Sequence, residues 1–258
     1  MFIKEAQMRL QDKAIIVTGA AGGLGRQYAI RFAKEGAKLT IADVQDVSKT
    51  AELCRAEGAE VIPLRVDVSS EDETQEMARR THEQYGRIDG LLNNAGMMRG
   101  LGVKSILDVD METWDRVFAV NARGTFLGVR AVFPYMREQR SGTIVNVSSG
   151  STLRIARGPT DMNPHYVSSK SAIIGITRAV ARELGQYNIN VVTVAPGSTT
   201  SDTEEPIGAD EAYPEPEASL ARRGVPEDLT GVMTFLFTDD ARFISGQMIV
   251  VNGGREVH

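Results

Sequence analysis

The chain has 258 residues, of which 42% are hydrophobic and 24% charged, with a formal net charge of −5. These are globular values at a length that suits one α/β domain. The missing basic excess argues against a nucleic-acid partner, and the single cysteine, Cys54, excludes an intrachain disulfide and fits a reducing cytoplasm.

The start, MFIKEAQMRLQDK, is charged and reads as no signal peptide. No run of about 18 apolar residues occurs, so no membrane span is expected. The first apolar run, AIIVTG at 14–19, reads as a buried strand. The stretch TGAAGGLG at 18–25 follows it and opens a helical segment at about 23–35. Gly19 permits a tight turn, Gly23 lets the backbone approach a pyrophosphate, and Gly25 lets helix and strand pack closely. Leu24, between the last two of these, is expected against the same ligand. The amino terminus of the helix offers N–H groups to the phosphates.

The second run, KLTIAD at 38–43, ends in Asp43. A carboxylate there can accept from both ribose hydroxyls of adenosine and would repel a 2′-phosphate. No Arg or Lys follows at 44–48, so the expected cofactor is NAD rather than NADP. The alternative role for Asp43 is a cap on the following turn. A helical segment at about 46–57 precedes the third run, AEVIPLRVDV at 59–68. Asp67 and Val68 close it. They either meet adenine or, in the case of Asp67, cap the helix expected over 71–85. GLLNNAG at 90–96 is the fourth run. Amides of its asparagines, Asn94 among them, can bridge neighbouring strands, while Ala95 and Gly96 give the cofactor a close path.

A helix over 110–138 carries Asn121, and the fifth run, GTIVNVSS at 142–149, ends in hydroxyls. Ser148, Ser149 and Ser151 are candidate donors to a substrate oxygen. In the helix expected over 165–186, Tyr166 and Lys170 stand four residues apart on one face. A free phenol titrates near 10, and a nearby ammonium would lower that value and make it a usable base. The sixth run, INVVTVAPG at 189–197, leads into the acidic, proline-bearing stretch 198–224, expected to be a substrate lid because of its length and its place at the carboxyl edge of the sheet. A helix over 226–238 and a seventh run, QMIVVNGG at 247–254, complete the series. Apolar runs alternating with helices predict a Rossmann-type, doubly wound, seven-stranded parallel sheet with helices on both faces, in one catalytic domain over 1–258.

TGAAGGLG, Asp43, NNAG, the serine pair of NVSS, YVSSK and the PG of VTVAPG resemble, in order and spacing, the short-chain dehydrogenase/reductase superfamily. The resemblance runs from about residue 10 to the terminal NGG. It implies a catalytic set of Asn121, Ser149, Tyr166 and Lys170. Tyr166 is then the general acid and base, Ser149 holds the substrate oxygen, Lys170 also holds the nicotinamide ribose, and Asn121 bends its helix and holds a water leading to the lysine. Pro196, Gly197, Thr199 and Ser201 would meet the carboxamide or diphosphate. The implied activity is NAD-dependent interconversion of a secondary alcohol and a ketone, with an apolar or cyclic substrate, no metal, and a homotetrameric assembly. The alternatives are an NADPH-linked reductase of 3-oxoacyl thioesters and a noncatalytic dinucleotide sensor. The segment between Ser149 and Tyr166 is longer than in many members and carries Arg154, Arg157, Asp161 and His165, which should reshape one wall of the pocket.

Overall fold

The computed structural model describes residues 8–98, 100–101, 105–155, 163–200 and 217–256. The seven apolar runs form one sheet in the order β3-β2-β1-β4-β5-β6-β7, and every pairing is parallel. The strands are β1 Ala14–Thr18, β2 Lys38–Asp43, β3 Val61–Arg65, β4 Gly90–Asn93, β5 Gly142–Val147, β6 Ile189–Pro196 and β7 Met248–Val251. The expected doubly wound sheet is therefore present. Strand order reverses between β1 and β4, which opens a crevice at their carboxyl ends. Pro63 lies in β3, an edge strand, where a missing N–H costs the ladder least.

The helices are α1 Gly23–Lys34, α2 Ser48–Ala56, α3 Glu71–Tyr85, α4 Met111–Phe118, α5 Gly124–Gln139, α6 Pro164–Gly185 and α7 Pro226–Leu236. Successive residues of β1 point to opposite faces. Ile15 and Val17 join Tyr28, Phe32, Leu229, Met233 and Phe237 under α1 and α7. Ile16 joins Met77, Leu91, Val132, Met136 and Ile144 under α3 and α5. Both faces of the sheet are thus covered, which is why its strands read as unbroken hydrophobic runs.

The structure corrects the helix expected over 110–138. A π-helical turn, Ala119–Arg123, interrupts it between α4 and α5. Thr125 Oγ1 donates to the Asn121 carbonyl at 2.7 Å across that turn. The interruption contains Asn121, where the resemblance implied a bend in the helix.

A row of polar side chains crosses the buried sheet. Asn93, Asn146 and Thr193 are register partners on β4, β5 and β6. Asn93 Nδ2 donates to Asn146 Oδ1 at 2.9 Å and to the Thr125 carbonyl at 3.1 Å. Asn146 Nδ2 and Thr193 Oγ1 both donate to Thr177 Oγ1 of α6, at 2.9 and 2.8 Å. α5 lies close over this row at Gly128, where a Cβ would stand 2.4 Å from Asn93 Oδ1.

The stretch 198–224 leaves and re-enters the sheet edge through paired feet. Gly224 N donates to the Ser198 carbonyl and Thr200 N to the Gly224 carbonyl, each at 2.9 Å. Arg223 Nε donates to Ser198 Oγ at 2.9 Å. Arg222 instead grips Asp228 with two hydrogen bonds of 2.6 and 2.9 Å, at the start of α7. The span 201–216, and Ser201 with it, lies outside the described residues, as do Arg157 and Asp161. No helix of the described residues is long and apolar enough to cross a membrane.

Candidate active site

The crevice begins at the glycine loop. Gly19 has φ +68° and Gly23 φ +57°, a region in which side chains are strained. A Cβ on Gly25 would stand 2.0 Å from the Gly19 carbonyl oxygen, so only glycine lets the loop close onto α1. α1 starts from Gly22 without a side-chain cap and with no acidic residue in its first turn. Its amino terminus suits an anion. Thr18 Oγ1 gathers the loop after β4: it accepts from Asn94 N and Ala95 N, each at 3.1 Å. Asn94 Nδ2 bridges to the carbonyls of Thr18 and Gly19, at 3.0 and 3.1 Å. The asparagine amide thus ties neighbouring strands, and the tail of β1 and the tail of β4 form one rigid floor.

Asp43 ends β2 beside this loop. Its Oδ2 accepts from Ala21 N and its Oδ1 from Gln45 N, both at 3.0 Å. A carboxylate has about four lone-pair positions, so each oxygen keeps capacity for a further donor. Arg26, which the sequence reading passed over, folds back from α1 to the Ala21 carbonyl and donates from Nε to Thr50 Oγ1 at 3.0 Å. Through the Ala21 carbonyl it reaches the residue whose amide Asp43 accepts. Its place one residue after the glycine motif was the available signal.

Asp67 does not cap α3. That role belongs to Ser70, whose side chain accepts from Glu73 N. Asp67 Oδ1 accepts from Ser69 N at 2.8 Å and from Ser69 Oγ at 2.7 Å, while Glu73 holds the Asp67 amide at 2.8 Å. Val68 packs against Gly124 at the end of the π turn, where a Cβ would stand 2.8 Å from Val68 Cγ2.

On the other side of the crevice, α6 brings Tyr166 to the end of β5. Its hydroxyl is hydrogen-bonded to the Ser149 hydroxyl. Ser151 supports Ser149 from behind: Ser151 N donates to Ser149 Oγ at 3.2 Å, and the two hydroxyls lie 2.9 Å apart. Ser148 is turned away, donating to the Lys170 carbonyl at 2.8 Å. Lys170 Nζ is buried, lies 6.0 Å from the centre of the Tyr166 ring, and donates to the Val147 carbonyl at 2.9 Å. Next to it, Gly96 leaves room for this ammonium, since a Cβ there would stand 3.1 Å from Lys170 Nζ.

The electrostatics differ from expectation. Burial raises the Tyr166 pKa above its usual value, and the Ser149 hydrogen bond only partly opposes it. Burial also pushes Lys170 down, to about 8. Desolvation of a phenol and an ammonium outweighs their mutual support at this separation. In the structure as it stands, Tyr166 is held as a neutral phenol, a proton donor.

Asn121 lies in the π turn, and both ends of its amide are committed. Its Oδ1 accepts from Met97 N at 2.7 Å, and its Nδ2 donates to the Met97 carbonyl at 3.2 Å and to Ser169 Oγ at 2.9 Å. The side chain therefore joins the strand-end loop to α6. His165 is buried, with its ring 6.4 Å from that of Trp114.

A cavity of about 260 Å³ opens in front of Tyr166 and Ser149, bounded by Met98, Pro196, Gly197 and Arg154. Gly197 N donates to the Val251 carbonyl at 2.9 Å, and Thr199 Oγ1 donates to the Gly197 carbonyl at 3.2 Å. Arg255 and Glu256, from the end of the chain, form part of the wall. The wall is more ionic than the apolar substrate expectation implied. Among the described residues no group of acidic, His and Cys side chains is placed to hold a metal.

A family model described as enoyl-(acyl carrier protein) reductase matches residues 19–256. The chain is 36% identical over 253 residues to the (2S)-[(R)-hydroxy(phenyl)methyl]succinyl-CoA dehydrogenase subunit BbsD of Thauera aromatica, covering 97% of this chain and 99% of the relative. It is 37% identical over 252 residues to the 3-oxoacyl-[acyl-carrier-protein] reductase FabG of Thermotoga maritima, covering 96% and 99%. A solved short-chain type dehydrogenase/reductase from Mycobacterium marinum superimposes with a TM-score of 0.86 at 31% identity, covering 96% of this chain and 97% of the other.

Proposed function

Since the chain belongs to the short-chain dehydrogenase/reductase family of oxidoreductases, we propose that it interconverts a secondary alcohol and a ketone with NAD. The observation that carries this reading is the Tyr166 hydroxyl, hydrogen-bonded to Ser149 at the cavity with the Lys170 ammonium behind its ring. Two similar proteins are named for a hydroxyl-bearing and a 3-oxo substrate. Both are substrates of this hydroxyl–carbonyl type.

The residues suit a dinucleotide. The uncapped amino terminus of α1 fits a diphosphate, the Asp43 carboxylate fits a ribose diol, and the Gly96 gap fits a ring passing Lys170. A bound nicotinamide would accept or supply the hydride. In reduction, Ser149 holds the carbonyl oxygen and Tyr166 gives it a proton. In oxidation, Tyr166 acts as phenolate, stabilised by Lys170, and takes the proton from the hydroxyl to become the neutral phenol. Asn121 keeps the Met97 loop and α6 in fixed relation while this happens.

A second reading, an NADPH-linked 3-oxoacyl thioester reductase, draws on the Thermotoga relative and on Arg26, a cation at the adenosine end. Asp43 opposes it by repelling a 2′-phosphate. A panel of secondary alcohols, ketones and 3-oxoacyl thioesters, assayed with each dinucleotide, separates the two. Tight NAD binding with no turnover of any compound would instead favour the sensor. The proposal further places the enzyme in the cytoplasm as a single-domain homotetramer, with residues 198–224 covering the substrate and with neither nucleic acid nor membrane as a partner.

A further inference from the structure

Ser149 and Ser151 both line the cavity, at the short helical turn Gly150–Leu153 that follows β5. The start of this turn is pinned. Thr152 N and Thr152 Oγ1 donate to the Ser149 carbonyl at 3.1 and 2.8 Å. Gly150 abuts the end of β6, where a Cβ would stand 3.2 Å from the Pro196 carbonyl oxygen. In this setting two donors of Ser151 converge on one oxygen. The Ser151 amide lies 3.2 Å from Ser149 Oγ and the Ser151 hydroxyl 2.9 Å from it. Among the described residues the Ser151 hydroxyl makes no other hydrogen bond.

A hydroxyl carries one proton and two acceptor positions. With the amide and the hydroxyl of Ser151 in both positions, Ser149 can only donate. Its proton goes to the Tyr166 oxygen, or to a substrate oxygen placed beside both residues. The effect on Tyr166 agrees in sign, since the Ser149 hydrogen bond favours ionisation, as a bond donated to a phenol oxygen does. The same count frees the phenol proton. Ser149 has no acceptor position left for it, so Tyr166 directs it into the cavity. In the reverse arrangement Ser149 would spend its proton on Ser151, Tyr166 would donate back to Ser149, and both protons would be lost to a substrate.

We propose that Ser151 is a positioning residue of the reaction. By filling both acceptor positions of Ser149 it commits that serine to donating, and so aims the hydroxyl protons of Ser149 and Tyr166 at the substrate oxygen. The role rests on the redox reading above and deepens it by one residue behind the serine.

The test is the pH profile of kcat/KM for alcohol oxidation by the full-length enzyme with its dinucleotide. Ser151→Ala removes the hydroxyl and keeps the amide. One net hydrogen bond corresponds to a factor of roughly two to ten, so kcat/KM should fall by about that much. The phenolate also loses support, so the apparent pKa of the rising limb should move up by roughly 0.5–1 unit. Ser151→Thr keeps a hydroxyl and should hold the limb where the wild type has it. In a Ser149→Ala background, Ser151→Ala should cost nothing further, because its effect passes through Ser149. An unmoved limb in Ser151→Ala would overturn the role and leave the redox reading intact. So would a full further loss in the double variant, which would mean that Ser151 meets substrate directly. If no alcohol or ketone turns over, the redox reading fails, and the ionisation of the phenol decides the role of Ser151 separately. A fluorinated tyrosine in place of Tyr166 ionises at lower pH than tyrosine and reports its titration by fluorine NMR. A higher pKa with Ser151→Ala than without it supports the role; identical titrations overturn it.

Discussion

The Lys170 ammonium lies 6.0 Å from the centre of the Tyr166 ring yet gives its hydrogen bond to the Val147 carbonyl, 2.9 Å away. The lysine is therefore anchored to the end of β5 and acts on the phenol through space. Its own charge is weakened by burial, and so is the tendency of Tyr166 to ionise.

The first prediction concerns Tyr166. Replacing Tyr166 with Phe removes the proton donor while keeping the ring that packs in α6. Turnover should fall by about 10²–10⁴-fold, the usual contribution of a positioned acid or base. NAD binding, followed by quenching of protein fluorescence, should be little changed. Activity near that of the wild type would remove Tyr166 from its role.

Lys170 should make stability depend on pH in a defined window. Its pKa falls from an ordinary 10.5 to about 8 on folding. Above about pH 8 the native chain releases a proton that the unfolded chain still holds, so stability rises with pH. Cys54 works the other way: burial lifts it from 9.0 to about 12, so its contribution falls once the unfolded thiol ionises. The comparison that isolates the lysine is wild type against Lys170→Met in denaturant titrations from about pH 7 to about pH 9. The wild type should gain on the variant across that range. Parallel pH profiles would show that the ammonium carries no desolvation penalty.

Asp43 sets cofactor choice in the proposed scheme. Asp43→Asn keeps an acceptor but loses the charge, and one oxygen becomes a donor facing an amide N–H. Hydrogen bonds to a charged group contribute about 1.5–3 kcal/mol, so kcat/KM with NAD should drop by roughly 10- to 100-fold. The NAD/NADP ratio should fall with it, measured by initial rates with both dinucleotides. An unchanged ratio would reassign Asp43 to holding the glycine loop alone, through Ala21 and Gln45.

Tyr28 offers a test away from the site. Its ring is fully buried between α1 and the sheet, and its hydroxyl finds no hydrogen-bond partner among the described residues. Desolvating such a group costs about 1–3 kcal/mol. Tyr28→Phe removes that cost at nearly constant shape. It should raise Tm by about 2–4 °C for each kcal/mol recovered in a chain of this size. A lower Tm would mean that the hydroxyl is satisfied after all.

Much of this arrangement was readable from local pattern. Buried parallel strands are hydrophobic on both sides, so all seven announced themselves, and the glycine loop is a contiguous motif whose steric need is visible residue by residue. What escaped depends on contacts between distant residues. Arg154 and Glu256 are far apart in the chain and meet only because β7 lies beside β6. The ordering of Tyr166 and Lys170 was legible, but the balance between burial and charge was not. That balance depends on how deeply the fold places each group, which no spacing encodes.

The row of Asn93, Asn146 and Thr193 across the middle strands has a consequence for how the chain finds its active form. Slide β5 by a single position against either neighbour, and these amides and hydroxyls turn to the opposite side of the sheet, into hydrocarbon and away from Thr177. Misaligned pairings are thereby penalised well before any ligand arrives. The chemistry at the tips of β5 and α6 inherits its alignment from a key cut into the interior, and a molecule that has folded at all has folded with its reactive groups in step.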